Sequence, residues 1–254
     1  MEVQVLGTYP GENSERFILS TYVVNGEIAV DAGAIALGLH PDEQCRIHSV
    51  IVTHTHIDHI ATLPLFTIEN MGIRKQPPRI YATAHNVAML KKHMFNNVFW
   101  PDLPSISSDF FQTVDVEPLE TVTIGRYAFR LFPVNHPVPT YGVILRDLEK
   151  RQEVLFSSDT SICDAIWMEA NRLKNLKGIF IEVSFPDSQR ELALSTGHMT
   201  PGLLAGELKK LTRKVPLYIT HYKTQFCEQI RAELSAADGL DFRICRVGER
   251  LSLD

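Results

Sequence analysis

Four times in this chain a short apolar run leads into side chains able to bind a metal. Val50-Ile51-Val52-Thr53 runs into His54-Thr55-His56-Ile57-Asp58-His59, and His136, Asp159 and His221 stand just past the runs Tyr127–Phe132, Val154–Ser157 and Leu217–Thr220. Apolar and β-branched runs of this length read as buried strands, so each of these side chains falls where a strand gives way to a loop. Side chains from several strand ends can meet at one edge of a packed pair of sheets. The crowded stretch weighs most, because three imidazoles beside a carboxylate offer little to folding and much to a metal ion.

With 254 residues, 44% apolar and 22% charged, the chain can bury a large core, and one domain over 1–254 is the expected organisation. The formal charge of −5 supplies no basic field to draw in a long polyanion, so extended nucleic acid is not an expected partner. Cys45, Cys163, Cys227 and Cys245 are far apart and form no CxxC pair, which reads as free thiols rather than a zinc ribbon or a disulfide framework. Met1-Glu2-Val3-Gln4 lacks a basic region followed by an apolar stretch, and no run of about eighteen apolar residues occurs. No membrane span is expected, and a cytoplasmic location follows by default.

Strands are expected at Val3–Leu6, Arg16–Val24 and Ile28–Asp31, the last two joined at Asn25-Gly26, a strong hairpin signal. Pro41–Gln44 predicts a short helix before a Ser49–Thr53 strand. Helices are then predicted over Ile60–Met71 and His85–Asn97, flanking a strand at Arg79–Ala82, with an aromatic and proline-rich loop at Phe99–Pro104. The period of two returns in Thr113–Val116, Thr121–Ile124, Tyr127–Phe132, Gly142–Leu145 and Val154–Ser157. Beyond it, helices at Ile162–Asn171, Pro201–Leu211 and Glu228–Ala236 alternate with strands at Gly178–Val183 and Leu217–Thr220. Two sheets, each covered by helices, account for this order.

A catalytic zinc keeps about three protein ligands and an open position, so the first cluster alone cannot complete a two-metal site. His54, His56, Asp58, His59, His136, Asp159 and His221 are the candidate ligands. Their pattern resembles the metallo-β-lactamase superfamily. That resemblance implies an α/β fold of the αββα sandwich kind, two mixed β-sheets flanked by helices, holding two divalent metal ions at one edge. It implies that His54, His56 and His136 hold the first ion, that Asp58, His59 and His221 hold the second, and that Asp159 bridges them. His and Asp donors suit Zn2+, with Mn2+ or Fe as the other choices.

A fold that hosts many reactions cannot name a substrate. Two further stretches narrow it. The segment Lys92 to Asp102, with Phe95-Asn96 and Trp100-Pro101, is similar to the Phe-Asn…Trp-Pro region of class II 3′,5′-cyclic-nucleotide phosphodiesterases. Glu182-Val183-Ser184-Phe185-Pro186 followed by Gly197-His198-Met199-Thr200-Pro201 resembles the same family's Glu-x-Ser-Phe and Gly-His-x-Thr-Pro segments. The family's usual Gly or Ser and aliphatic residues after the ligand run are replaced here by Thr62 and Pro64. The resemblance implies hydrolysis of cAMP or cGMP to the 5′-monophosphate through a hydroxide bridging the two metals. Asp58, His198 and Glu182 are then the candidate catalytic residues. His198 would protonate the leaving 3′-oxygen or contact the phosphate, and Glu182 would orient it. Asn96, Phe99 and Trp100 are candidates for the base and ribose pocket by stacking, with Thr140, Tyr141 and His198 toward the phosphate. The Phe95–Trp100 segment would equally serve as a homodimer contact.

The nearest rival is a tRNA 3′-processing endonuclease of the same superfamily. That family carries a protruding basic arm between the equivalents of His136 and Asp159, whereas only about twenty residues separate them here, enough for two strands and a turn. Lactone and thioester hydrolases share the first cluster and are further alternatives. A non-catalytic binding protein would be expected to lack a ligand.

Overall fold

The computed structural model describes residues 1–7, 19–237 and 241–253. The chain first lays down β1 (Glu2–Gly7), β2 (Thr21–Val24), β3 (Ile28–Val30), β4 (Ser49–Ile51), β5 (Arg79–Ala82) and β6 (Gln112–Asp115). It continues with β7 (Thr121–Ile124), β8 (Tyr127–Pro133), β9 (Tyr141–Asp147), β10 (Gln152–Phe156), β11 (Leu176–Glu182), β12 (Leu217–Thr220) and β13 (Phe242–Ile244), then returns to the first sheet with β14 (Arg250–Ser252). The two sheets run β14-β1-β2-β3-β4-β5-β6 and β13-β12-β11-β10-β9-β8-β7. In each, one half is antiparallel and the other parallel: β3 to β6 in the first, β10 to β13 in the second.

Between β2 and β3 the Asn25-Gly26 hairpin forms as predicted. Both residues have positive φ, and the Glu27 N–H closes the turn on the Val24 carbonyl at 3.0 Å. The expected strand from Arg16 is described only from Thr21, and its first residues lie outside the described ones.

Alternation along each strand divides the core. Val3, Val5, Tyr22, Val24, Ile28, Val30, Ile51 and Tyr81 of the first sheet face Phe129, Leu131, Val143, Leu145, Val154, Phe156 and Phe180 of the second. Phe156 and Phe180 stack at 5.0 Å, and Tyr22 sits 5.0 Å from Phe156. Burying a side chain of this size contributes roughly 1.5–3 kcal/mol.

The outer face of the first sheet is covered from the segment holding α1 (Ile35–Gly38), α2 (Pro41–Gln44), α3 (Ile57–Ile60), α4 (Leu63–Ile68), α5 (Ala84–His93) and α6 (Leu103–Ile106). The second sheet's outer face packs on α7 (Asp164–Arg172), α9 (Pro201–Glu207) and α10 (Cys227–Ala236), while α8 (Arg190–Thr196) contributes one buried residue, Ala193.

Two helices depart from expectation. The predicted Ile60–Met71 helix is split into α3 and α4, with Pro64 in the first turn of the second piece, where its missing N–H does no harm. The predicted His85–Asn97 helix stops at His93, because Phe95 and Trp100 pair across a loop held by Asn96. Among the described residues no helix is long and apolar enough to cross a membrane.

Candidate metal centre

Five candidate side chains, and Asp31 with them, stand at or just beyond the C-terminal ends of strands. His54 follows β4, His136 follows β8, Asp159 follows β10, Glu182 ends β11 and His221 follows β12, while Asp31 follows β3 in the first sheet. The two sheets are tied together at this edge: the Tyr141 N–H donates to the Thr53 carbonyl, and the Ser158 hydroxyl to Thr53 Oγ1 at 2.9 Å. Asp31, Ser158 and His221 all adopt positive φ, a sparsely populated conformation for such residues, and each turns the chain sharply at its strand end. Past β4, His56 is extended and leads into α3, whose single turn presents Asp58 and His59 together.

The ligand atoms of His54, His56, His136 and Asp159 lie within 4.8 Å of one another, and so do those of Asp58, His59, Asp159 and His221. Asp159 belongs to both groups. All seven predicted ligands are thus brought together.

The donor atoms of the cluster crowd against one another. His136 Nε2 lies 3.1 Å from His56 Nδ1, His59 Nε2 lies 3.4 Å from His221 Nε2, and His221 Nε2 lies 3.0 Å from Asp58 Oδ2. His54 Nε2 is fully buried with no hydrogen-bond partner, 3.8 Å from Asp159 Oδ2. Asp159 Oδ1 faces His59 and His221 at 3.2 and 3.3 Å without hydrogen-bonding either. Orphaned buried nitrogen and oxygen atoms are costly in a finished fold. A convergent set of imidazole and carboxylate donors with orphaned atoms aimed inward fits divalent metal ions.

The electrostatics agree. Burial pushes His54 well below the ordinary histidine value, with His59 adding to the effect, and burial likewise lowers His56 and His136, so these three are neutral and have lone pairs to offer. Burial would lower His59 too, but Asp159 and Asp31 outweigh it and hold it well above the ordinary value. Burial would raise Asp58 and Asp159, yet the neighbouring His221 and His59 keep both below the ordinary carboxylate range.

Glu182 and His198 meet beside this cluster. His198 Nδ1 lies 2.7 Å from Glu182 Oε1, and its ring lies 5.2 Å from His136 and 5.6 Å, stacked, from His221. Burial would lower His198, but the Glu182 carboxylate more than offsets it, and the ring is held above the ordinary histidine value. Glu182 also accepts from the Thr160, Ser184 and Met199 N–H groups.

The predicted substrate residues are placed less decisively. Asn96 uses its side chain within its own loop, accepting from the Val98 and Phe99 N–H groups and donating to the Lys92 carbonyl. Phe99 is 62% exposed, and Trp100 packs against the outer core of the first sheet. The Thr140 hydroxyl donates to the Val138 carbonyl, and Tyr141 is half-buried against the inter-sheet core.

Several contributors were not singled out from the sequence. Asp31 accepts from His59 Nδ1 at 2.6 Å, and Gly197 accepts from His136 Nδ1 at 2.9 Å. Asp31 follows the Ile28–Val30 run just as the ligands follow theirs, and that rule applied once more would have found it. Gly197 opens the Gly197-His198-Met199-Thr200-Pro201 segment but has no side chain to suggest a role.

The family described as a beta-lactamase superfamily domain matches residues 29–222. This chain belongs to the beta-lactamase superfamily. Its curated relatives include a probable 3′,5′-cyclic-nucleotide phosphodiesterase of Yersinia pestis, 26% identical over 71% of this chain and 58% of its own length. Another is a 3′,5′-cyclic-nucleotide phosphodiesterase of Schizosaccharomyces pombe, 30% identical over 78% of this chain and 60% of its own length. The chain thus spans somewhat over half the length of these relatives. Among solved structures, unliganded yeast PDE1 superposes over 98% of both chains with a TM-score of 0.81 at 20% identity, a likeness of fold. The expected αββα sandwich of two mixed sheets flanked by helices is borne out.

Proposed function

We propose that this chain is a metal-dependent phosphodiesterase that hydrolyses a 3′,5′-cyclic nucleotide to the 5′-monophosphate. The observation that carries the reading is the convergence of two donor groups on one shared carboxylate, Asp159, with the Glu182–His198 pair beside them. The names of the curated relatives point to the same substrate class. In this reading His54, His56 and His136 hold one divalent ion, Asp58, His59 and His221 hold a second, and Asp159 serves both. When bound, such a pair of cations supplies Lewis acidity toward phosphoryl oxygens and makes water nucleophilic near neutral pH.

The chain's own groups supply the rest. His198, committed through Nδ1 to Glu182, keeps Nε2 for a proton that passes to the leaving 3′-oxygen, and the Glu182 carboxylate favours the protonated ring from which that transfer starts. The buried Phe185 ring lies 5.7 Å from that of His198. Phe99 is the aromatic face assigned to the base, next to Trp100.

The interval between His136 and Asp159 is filled by β9, a short turn and β10, paired antiparallel from Asp147 with Gln152 to Val143 with Phe156. That leaves no room there for a protruding RNA-binding arm, and it favours a small substrate. The test is a side-by-side assay of metal-loaded protein on cAMP, cGMP and precursor tRNA. Release of 5′-monophosphate from a cyclic nucleotide, lost on chelation, is the expected result; cleavage of precursor tRNA alone would overturn the reading.

A further inference from the structure

Two buried carboxylates beside the ligand cluster, Asp31 and Glu182, each hold one imidazole directly and reach a second through a hydroxyl. Asp31 accepts from His59 Nδ1 at 2.6 Å and also from Thr53 Oγ1 at 2.9 Å, which in turn lies 3.0 Å from His54 Nδ1. Glu182 is bonded to His198 Nδ1 at 2.7 Å and accepts from Ser184 Oγ at 2.7 Å, which lies 3.0 Å from His221 Nδ1. One arrangement stands at the end of the first sheet and the other at the end of the second.

A hydroxyl has one proton, so the direction of each relay can be worked out. Thr53 Oγ1 gives its proton to Asp31 and receives that of Ser158 Oγ, so His54 Nδ1 must be the donor toward Thr53. Ser184 Oγ gives its proton to the charged acceptor Glu182 Oε2 at 2.7 Å, so its 3.0 Å contact with His221 Nδ1 is made with the imidazole N–H as donor. In both rings a proton is thereby placed on Nδ1, which leaves Nε2 as the nitrogen able to offer a lone pair to a metal ion. Those two Nε2 atoms are among the orphaned or crowded ones: His54 Nε2 has no partner, and His221 Nε2 faces oxygens of Asp58 and Asp159.

We propose that Thr53 and Ser184 are positioning residues that set the tautomers of His54 and His221, and that each thereby governs the affinity of a different half of the centre. Thr53 serves the half formed by His54, His56 and His136, and Ser184 the half formed by Asp58, His59 and His221. This rests on the metal-centre part of the reading above and is independent of which substrate is hydrolysed. Removing an outer hydrogen-bond partner of a ligating histidine typically lowers metal affinity by about 10–100-fold.

The test is calorimetric titration of metal-stripped protein with Zn2+, alongside long-range nitrogen NMR of the histidine tautomers. Wild type should take up two ions. Ser184→Ala should weaken one binding step by about 10–100-fold and disturb the His221 tautomer, Thr53→Val should weaken the other step and disturb His54, and Ser184→Thr and Thr53→Ser should restore both. Two unchanged binding steps in a folded Ser184→Ala, or the same step weakened by both variants, would overturn the proposal. If wild type and variants bind metal as predicted but no cyclic nucleotide is hydrolysed, the proposed function fails and the relays stand.

Discussion

Asp31 and His59 form a pair sealed from solvent: the Oδ2–Nδ1 distance is 2.6 Å and each residue is 1% exposed. The same carboxylate satisfies the Thr53 N–H at 2.8 Å. Breaking a buried pair from one side leaves the other partner uncompensated, which costs about 3–5 kcal/mol. Asp31→Ala is therefore expected to lower the unfolding free energy of the metal-free protein by about that amount, read from urea titration. Asp31→Asn, which keeps an acceptor for the Thr53 N–H, should lose less.

Metal affinity should rise with pH. In the metal-free pocket His59 is held well above the ordinary histidine value, chiefly by Asp159 and Asp31 against the effect of burial, and a cation can bind its Nε2 only after the proton leaves. Below that raised value, each unit of pH should tighten binding about tenfold per proton displaced. Calorimetry in buffers of different ionisation enthalpy should report net proton release, and His59→Gln should reduce it.

Glu182 should set the alkaline limb of activity. The folded value of His198 is raised, so its protonated form is fully present below the ordinary histidine value and is lost as the pH climbs through the raised one. Glu182→Gln removes the charge that raises it, and the alkaline limb of the kcat profile should move to lower pH. For His198→Ala, turnover should fall by about 10²–10⁴-fold while metal content stays at the wild-type level. Loss of metal in that variant would make His198 a ligand instead.

A residue larger than glycine at position 197 forces its neighbours to shift. It has φ +73°, closes α8, and a Cβ placed on it would meet Pro137 Cδ at 2.5 Å and His136 Nδ1 at 2.9 Å. Gly197→Ala should push back the His136 loop, destabilise the protein by roughly 1–3 kcal/mol and weaken the metal step that depends on His136. Thermal unfolding with and without metal separates the two effects.

The seven metal-cluster residues were legible in sequence because each follows an apolar run, and the strand pattern supplied both the fold and the edge where they meet. What the sequence left dark was set by contacts across the fold. Thr53 and Ser158 are 105 positions apart, and nothing local in either predicts the bond between them. Strands β13 and β14 are three-residue edge strands, each interrupted or opened by an arginine, too short for a period of two to register. Helix α8 has Leu192 and Leu194 more than 40% exposed and buries only Ala193, so it lacks the apolar stripe by which helices are recognised. In the Phe95–Trp100 segment the rings are what the sequence displays, whereas the conformation is held by the Asn96 side chain, a local bonding pattern invisible without the turn itself.

The most direct test of the central claim is phosphorus NMR of a 3′,5′-cyclic nucleotide incubated with this protein, with metal content measured on the same preparation. With two ions per chain, a single 5′-monophosphate product should appear, vanish on chelation and return on adding metal back, while Asp159→Ala should give neither the ions nor the product. Turnover that persists in metal-stripped Asp159→Ala, or a fully loaded wild type that leaves the cyclic nucleotide intact, would contradict it.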